Sequence, residues 1–380
     1  MFGYDNPSSP FESATYLLIG AALLLFLRSL FSPHSLRSIP TVGGPSWPLL
    51  SYISAYNYLR NGRTILQEGY DKYKGGMFKV PMLDRWLVVV SGPQLMDELQ
   101  KLGDDEASFS KASGALSNTL YIFGSQIHNN PYHITIVRQQ LTRHLVSIFP
   151  DVVDEVTTAF RELVPAQADR WVGVPVSAVV RQIVARTSNR IFLGLPYCRD
   201  ETFLKLAANA TLAFAKARTV VGCFPNLLKP LAAKYIANFD ERIETCRQHL
   251  RGLMDSRLRD MEKLGDHWDD KPNDMLQWIL EEEKKSGKID VKNVVRMLLL
   301  INIAAIHTSS SSFTHALYHL AASPEYMAPL REEVEAVIHA EGWTKISMGK
   351  MRKLDSFMRE SQRLNGMNGS TSSTLSARAG

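Results

Sequence analysis

The sequence predicts a mainly α protein with one small β-hairpin near its start, carried behind an apolar N-terminal helix. Three observations predict it. One β-rich stretch, Met77–Val80 with Trp86–Val90, stands near the front. After it, apolar residues recur at helical spacing almost throughout. Finally, Val291–Ala322 reads as one long helix whose first half, VVRMLLLINIAAI, is apolar on nearly every side. A helix of that kind is buried through the middle of a domain.

Composition narrows the class. The 380 residues suffice for one large domain or two ordinary ones, and a hydrophobic content of 45% suits a chain with a real core. The 43 basic and 38 acidic residues are scattered, and no Lys/Arg cluster interleaves with aromatics, which argues against a nucleic-acid partner. Three cysteines, Cys198, Cys223 and Cys246, are too few and too odd in number for a disulfide scaffold, and fit a reducing compartment.

Residues 1–32 read as a membrane anchor. Ala14–Leu27 carries no charge and no proline; Arg28 can snorkel, Leu30 and Phe31 extend the run, and Pro33 stops it. Asp5 and Glu12 precede it, while Arg28 and Arg37 follow, so the positive-inside rule places the bulk of the chain in the cytosol. A cleaved signal peptide fits less well, because the leading residues are acidic and no small-x-small site follows. Residues 33–48, with Pro40, Pro45 and Pro48, form a stiff proline-rich connector.

Residues 49–364 hold the folded domain. Val137, Leu141, Leu145 and Ile148 fall on one helical face; Pro150-Asp151 is expected to end that helix and begin another striped by Val152, Val156, Ala159 and Leu163. Helical patterns continue through Ile183–Leu193, Phe203–Ala217 and Ile236–Leu264, and Gly265–Asn273 is polar and loop-like. Asp290 is a plausible N-cap for the long helix. Ser323-Pro324 starts the next helix, and a last one is expected from Ser347 to Leu364. Residues 365–380 are small and polar and are expected to form a disordered tail.

Several clusters bear on chemistry. Ala304-Ala305-Ile306-His307-Thr308 followed by four serines would cut a polar notch into the buried helix, suited to delivering protons to a bound small molecule. The alternative is a local kink with satisfied hydroxyls, and the residues alone leave both open. Glu360 and Arg363, at i and i+3, read alone as solvated decoration. Arg138 and Arg143 could grip an anionic group or simply be solvated. His315 and His319 lack an intervening glutamate and a third ligand, so no metal site is predicted.

Taken in order, the anchor, proline-rich connector, hairpin, long helix with Ala-Ala-x-x-Thr, and Glu360-Ser361-Gln362-Arg363 resemble a microsomal cytochrome P-450, a haem-thiolate monooxygenase. The stretches RQIVARTSNRIFLGLPYCRDETF and AAIHTSSSSFTHALYHLAASPEY resemble the fungal members that oxidise terpenoids and other secondary metabolites. The resemblance implies a cytochrome P-450 fold, here incomplete, and haem as cofactor. Its implied partners are a hydrophobic small-molecule substrate, an NADPH-dependent reductase and the lipid of the endoplasmic reticulum. By the same resemblance Thr308, with His307 beside it, occupies the proton-delivery position. Arg138 matches the grip on a haem propionate, and Ala304 and Ala305 line the haem side. Glu360 and Arg363 match a buried structural pair. Ile134 stands where many members have tryptophan, and His307 where many have an acid.

One departure outweighs these matches. The family ligates iron through a cysteine in F-x-x-G-x-x-x-C-x-G downstream of E-x-x-R, and no cysteine follows Arg363 here. Cys198, Cys223 and Cys246 do not fit that pattern. A thiolate axial ligand is what favours O–O cleavage. The expectation is therefore a truncated, catalytically inactive chain. A non-catalytic membrane-anchored binding or scaffolding protein, and a gene-model fragment of an active enzyme, are the other readings.

Overall fold

The computed structural model describes residues 36–365 except 37, 48, 49, 83, 84, 104, 225 and 266. The expected anchor, and the expected tail beyond Asn365, lie outside the described residues. The chain folds as two compact units, the first ending at Ala107 and the second beginning at Ser108.

The first unit is built on the hairpin. Strands β1 (Met77–Pro81) and β2 (Trp86–Val90) pair antiparallel, with Phe78 opposite Val89 and Val80 opposite Leu87. The connector does more than turn: Thr41 bridges Lys79 in parallel, and the Val42 amide donates to the Lys79 carbonyl at 3.0 Å. Helix α1 (Leu50–Lys72) covers the hairpin, and α2 (Pro93–Lys101) follows it. Val42, Tyr58, Ile65, Leu66, Phe78 and Val80 form the core. Gly69 is required at its place, because a Cβ there would lie 2.3 Å from the Phe78 ring.

The second unit is helical. Helices α3 (Phe109–Ser117), α4 (Thr119–Phe123), α5 (Gln126–Asn129) and α6 (Tyr132–Thr135) lead into a π-helical turn, Ile136–Leu141. Then come α7 (Thr142–Leu163), α8 (Val176–Phe192), α9 (Glu201–Gly222), α10 (Lys229–Ala237), α11 (Phe239–His249), α12 (Arg251–Lys263) and α13 (Met275–Lys285). The long helix α14 spans Val291–Ala322; α15 (Met327–Glu341), α16 (Lys345–Met348) and α17 (Arg352–Leu364) complete the unit. Asp290 caps α14, its carboxylate accepting from the Lys292 and Asn293 amides. Helices α8, α9, α11, α13 and α17 pack around α14. Its length and hydropathy would suit a membrane span, yet Val294, Met297, Leu298 and Leu299 are at most 1% exposed.

Four expectations are corrected. Pro150 does not end a helix: α7 runs through it. Val146, whose carbonyl loses its amide partner to the proline, is 65% exposed, so water can satisfy it. Asp151 is consequently no N-cap, and its carboxylate instead accepts from Arg190 at 2.7 Å. Second, Val137 leaves the expected buried face, because a π-turn carries more residues per turn than an α-helix and brings Ile136 inward instead. Third, Ile236–Leu264 is broken at Asn238, which is left-handed with φ 43°, and at Leu250, with φ −86° and ψ 3°. Fourth, Ser347 does not begin the last helix; it sits inside α16, sharing a capping box with Thr344, and α17 starts only at Arg352.

Candidate active-site notch on the central helix

Burial along α14 changes abruptly. Val294 through Ile303 lie almost wholly in the core; Ala304 and His307 are exposed, and Ala305 and Thr308 half-buried. The helix therefore opens one face at the Ala-Ala-x-x-Thr run. Thr308 Oγ1 donates to the Ala304 carbonyl at 2.7 Å. Farther along, Ser310 Oγ donates to His307 O at 3.2 Å, and Thr314 Oγ1 to Ser310 O at 2.7 Å. The hydroxyls are thus satisfied by the helix's own carbonyls, and α14 stays continuous. The Thr308 oxygen keeps lone pairs to accept a proton donor, but passing on its own proton requires rotation away from Ala304.

Arg138 lies on the π-turn, exposed, with no ion pair or hydrogen bond among the described residues. Single π-turns recur at functional sites. Ile134, 37% exposed, and Arg143 are on the surface beside it. No hydrogen bond or ion pair among the described residues joins Arg138 to His307 or Thr308.

On α17, Arg363 donates to Glu360 through Nε at 2.7 Å and Nη2 at 2.6 Å, a bidentate pair. It is solvent-facing, with side chains 38% and 56% exposed. Hydrogen bonding from Arg363 holds the Glu360 carboxyl below its ordinary range, and the guanidinium is raised in turn. Among the described residues no group of three or more His, Cys, Asp or Glu gathers to hold a metal.

The sequence reading missed a buried charge cluster. Glu155, wholly buried on α7, accepts from Arg186 Nε at 2.7 Å and from Arg199 Nε at 2.9 Å. Burial alone would raise its carboxyl, but the hydrogen bonds from Arg199 and Arg186 prevail and hold it low. The signal was present: Glu155 falls between Val152 and Ala159 on the apolar stripe, and a carboxylate there needs a cationic partner. A second polar seam joins Tyr132, whose hydroxyl donates to Glu283 at 2.7 Å, to Asn293 on the first turn of α14, whose Nδ2 donates to Glu283 at 3.2 Å.

The arrangement of helices around α14 matches a solved haem domain. The crystal structure of the cytochrome P-450DA haem domain aligns over 86% of this chain and 69% of its own, with a TM-score of 0.54 at 17% identity, so the fold is shared. The family model described as Cytochrome P-450 matches residues 42–371. Cytochrome P-450 monooxygenase 71 of Postia placenta is 45% identical over 357 residues, covering 93% of this chain and 70% of that protein. The ent-kaurene oxidase of Gibberella fujikuroi is 29% identical over 356 residues, covering 92% of this chain and 68% of that protein. The chain belongs to the cytochrome P-450 family.

The family uses haem, and the thiols present do not fit its thiolate ligation. Cys198 is wholly buried, its thiol pushed up to about 11 by burial and by Glu155, 3.8 Å away. Cys246 is also wholly buried, pushed up to about 12 by burial alone. Cys223 caps the end of α9, its thiol donating to Thr219 O at 3.4 Å. Two thiols closed inside the core and one bonded to its own helix do not match the family's ligand loop, and no chemical step through haem follows from them.

Proposed function

We propose that the chain carries the oxygen-side half of a fungal monooxygenase site that oxidises a hydrophobic small molecule, a terpenoid or related secondary metabolite. The observation that carries this reading is the opening of the buried helix α14 at Ala304–Thr308, where an apolar wall meets a hydroxyl and an exposed imidazole. The ent-kaurene oxidase among its relatives supports an apolar, polycyclic substrate class. In this reading Arg138 holds a haem propionate, Ala304 and Ala305 lie against the haem, and Thr308 with His307 handles protons. Glu360 and Arg363 brace α17, and an NADPH-dependent reductase supplies electrons.

The same proposal places the protein at the endoplasmic reticulum membrane with the domain in the cytosol. The uncharged run Ala14–Leu27 supports it, as do Trp47, Leu50, Ile53, Tyr56 and Leu59, each 47–73% exposed at the start of α1.

Carbon monoxide spectroscopy tests the reading. Reduced, haem-supplemented full chain is expected to give at most a weak band of non-thiolate type. A full red-shifted thiolate band would overturn it, and serine replacement of Cys198, Cys223 and Cys246 in turn would identify the ligand. Release of the full chain from membranes by alkaline carbonate would overturn the anchor.

A further inference from the structure

The π-turn that presents Arg138 is fastened on both sides to one helix. Before it, buried Tyr132 donates its hydroxyl to Glu283 at 2.7 Å. After it, the His144 ring stacks on Trp278, centroids 5.4 Å apart and planes 23° from parallel. Glu283 and Trp278 both belong to α13, which packs directly against the turn. A further bond, Asn273 Nδ2 to Ser147 Oγ at 3.2 Å, joins the same two regions on the His144 side. Asn293 Nδ2 extends the first fastening to α14, donating to Glu283 at 3.2 Å.

Physics explains why two fastenings are needed. A π-turn is rarer than α geometry and occurs as a single-turn insertion, so contacts outside the turn must hold it. Within the turn only Ile136 is fully buried, and Val137 and Arg138 face solvent. Packing by the turn's own side chains is therefore thin. The flanking residues supply what it lacks: one buried phenol with a carboxylate acceptor, and one aromatic stack on a nearly buried indole.

We propose that Tyr132 and His144 are positioning residues that clamp the Ile136–Leu141 turn to α13 and thereby set where Arg138 is presented. The identity of the anion that Arg138 receives rests on the proposed function; the clamp itself does not.

Hydrogen–deuterium exchange on the full chain tests it, using Tyr132→Phe, His144→Ala and the double variant. Amides of 136–141 are expected to exchange about tenfold faster in the double variant, with amides of 297–303 unchanged. Glu283→Gln, which keeps an acceptor, and His144→Phe, which keeps a stack, are expected to stay near wild type. Unchanged exchange at 136–141 would overturn the clamp. So would an equal rise at 136–141 and 297–303, since that reports general loosening. Haemin titration of Arg138→Gln addresses the other reading separately. Binding equal to wild type removes the propionate role from Arg138, and the exchange result still decides the clamp.

Discussion

Arg186 on α8 donates to Glu155 on α7 at 2.7 Å, and the carboxylate it meets has no exposed surface at all. Arg199 reaches the other carboxylate oxygen, with Nε at 2.9 Å and Nη2 at 2.8 Å. One anion thus ties α7, α8 and the turn before α9 together.

Removing that anion leaves the Arg186 guanidinium buried without its buried partner, with only the half-exposed Glu162 remaining. Glu155→Ala is expected to cost about 3–5 kcal/mol, the range for breaking a buried pair from one side. Urea unfolding midpoints measure it. A change below about 1 kcal/mol would mean that water enters the cluster and that Glu162, also bonded to Arg186, takes over.

The same cluster predicts acid sensitivity. The folded Glu155 carboxyl is held below its ordinary range. Its contribution is therefore fully present above the ordinary carboxylate range and is lost as pH falls through the lower folded value. Glu155→Gln cannot titrate, so the stability gap between wild type and this variant should narrow as the medium is acidified. A gap that stays constant down to the acid transition would show that Glu155 does not set it.

In the first unit, Gly69→Ala should destabilise by about 1–3 kcal/mol through overpacking. The new Cβ would fall 2.3 Å from a ring carbon of Phe78, which has no exposed surface and cannot easily yield. Thermal melts followed by near-ultraviolet circular dichroism would register the loss of Tyr73–Phe78 stacking, whose centroids lie 6.2 Å apart.

Pro150→Ala should act in the opposite sense. It restores an amide donor inside α7 at an exposed position. An interior helix proline costs about 3 kcal/mol, and its stiffening of the unfolded chain returns about 0.4–1 kcal/mol of that. A net gain of about 2 kcal/mol is expected in the unfolding midpoint. No gain would mean that the helix bends to suit the proline and that this bend is needed by its neighbours.

Much of the architecture was legible because it follows local rules. The β-rich runs Met77–Val80 and Trp86–Val90 with the Pro/Asp-containing turn between them announced the hairpin, Asp290 the start of α14, and the all-round apolar face of α14 its burial. What escaped has non-local causes. Proline normally ends a helix, and only the solvent around Val146 explains why Pro150 does not. The π-turn adds a residue without any sequence mark, so Val137 and Ile136 exchanged sides. The break at Leu250 uses a residue that is a good helix former, and tertiary packing overrides that propensity. At the site, Thr308 and His307 could be placed on one helix, but not the change from closed to open surface at Ala304. That change depends on where neighbouring helices stop covering α14.

The order of partners around α14 bears on how the chain is made. Of the five helices packed around it, α8, α9, α11 and α13 precede it and only α17 follows, and the main hydrophobic cluster of the second unit runs from Ile122 to Ile303. As the nascent polypeptide lengthens, the apolar first half of α14 emerges onto a cradle already synthesised. A stretch long and apolar enough to cross a membrane therefore finds a protein surface waiting for it.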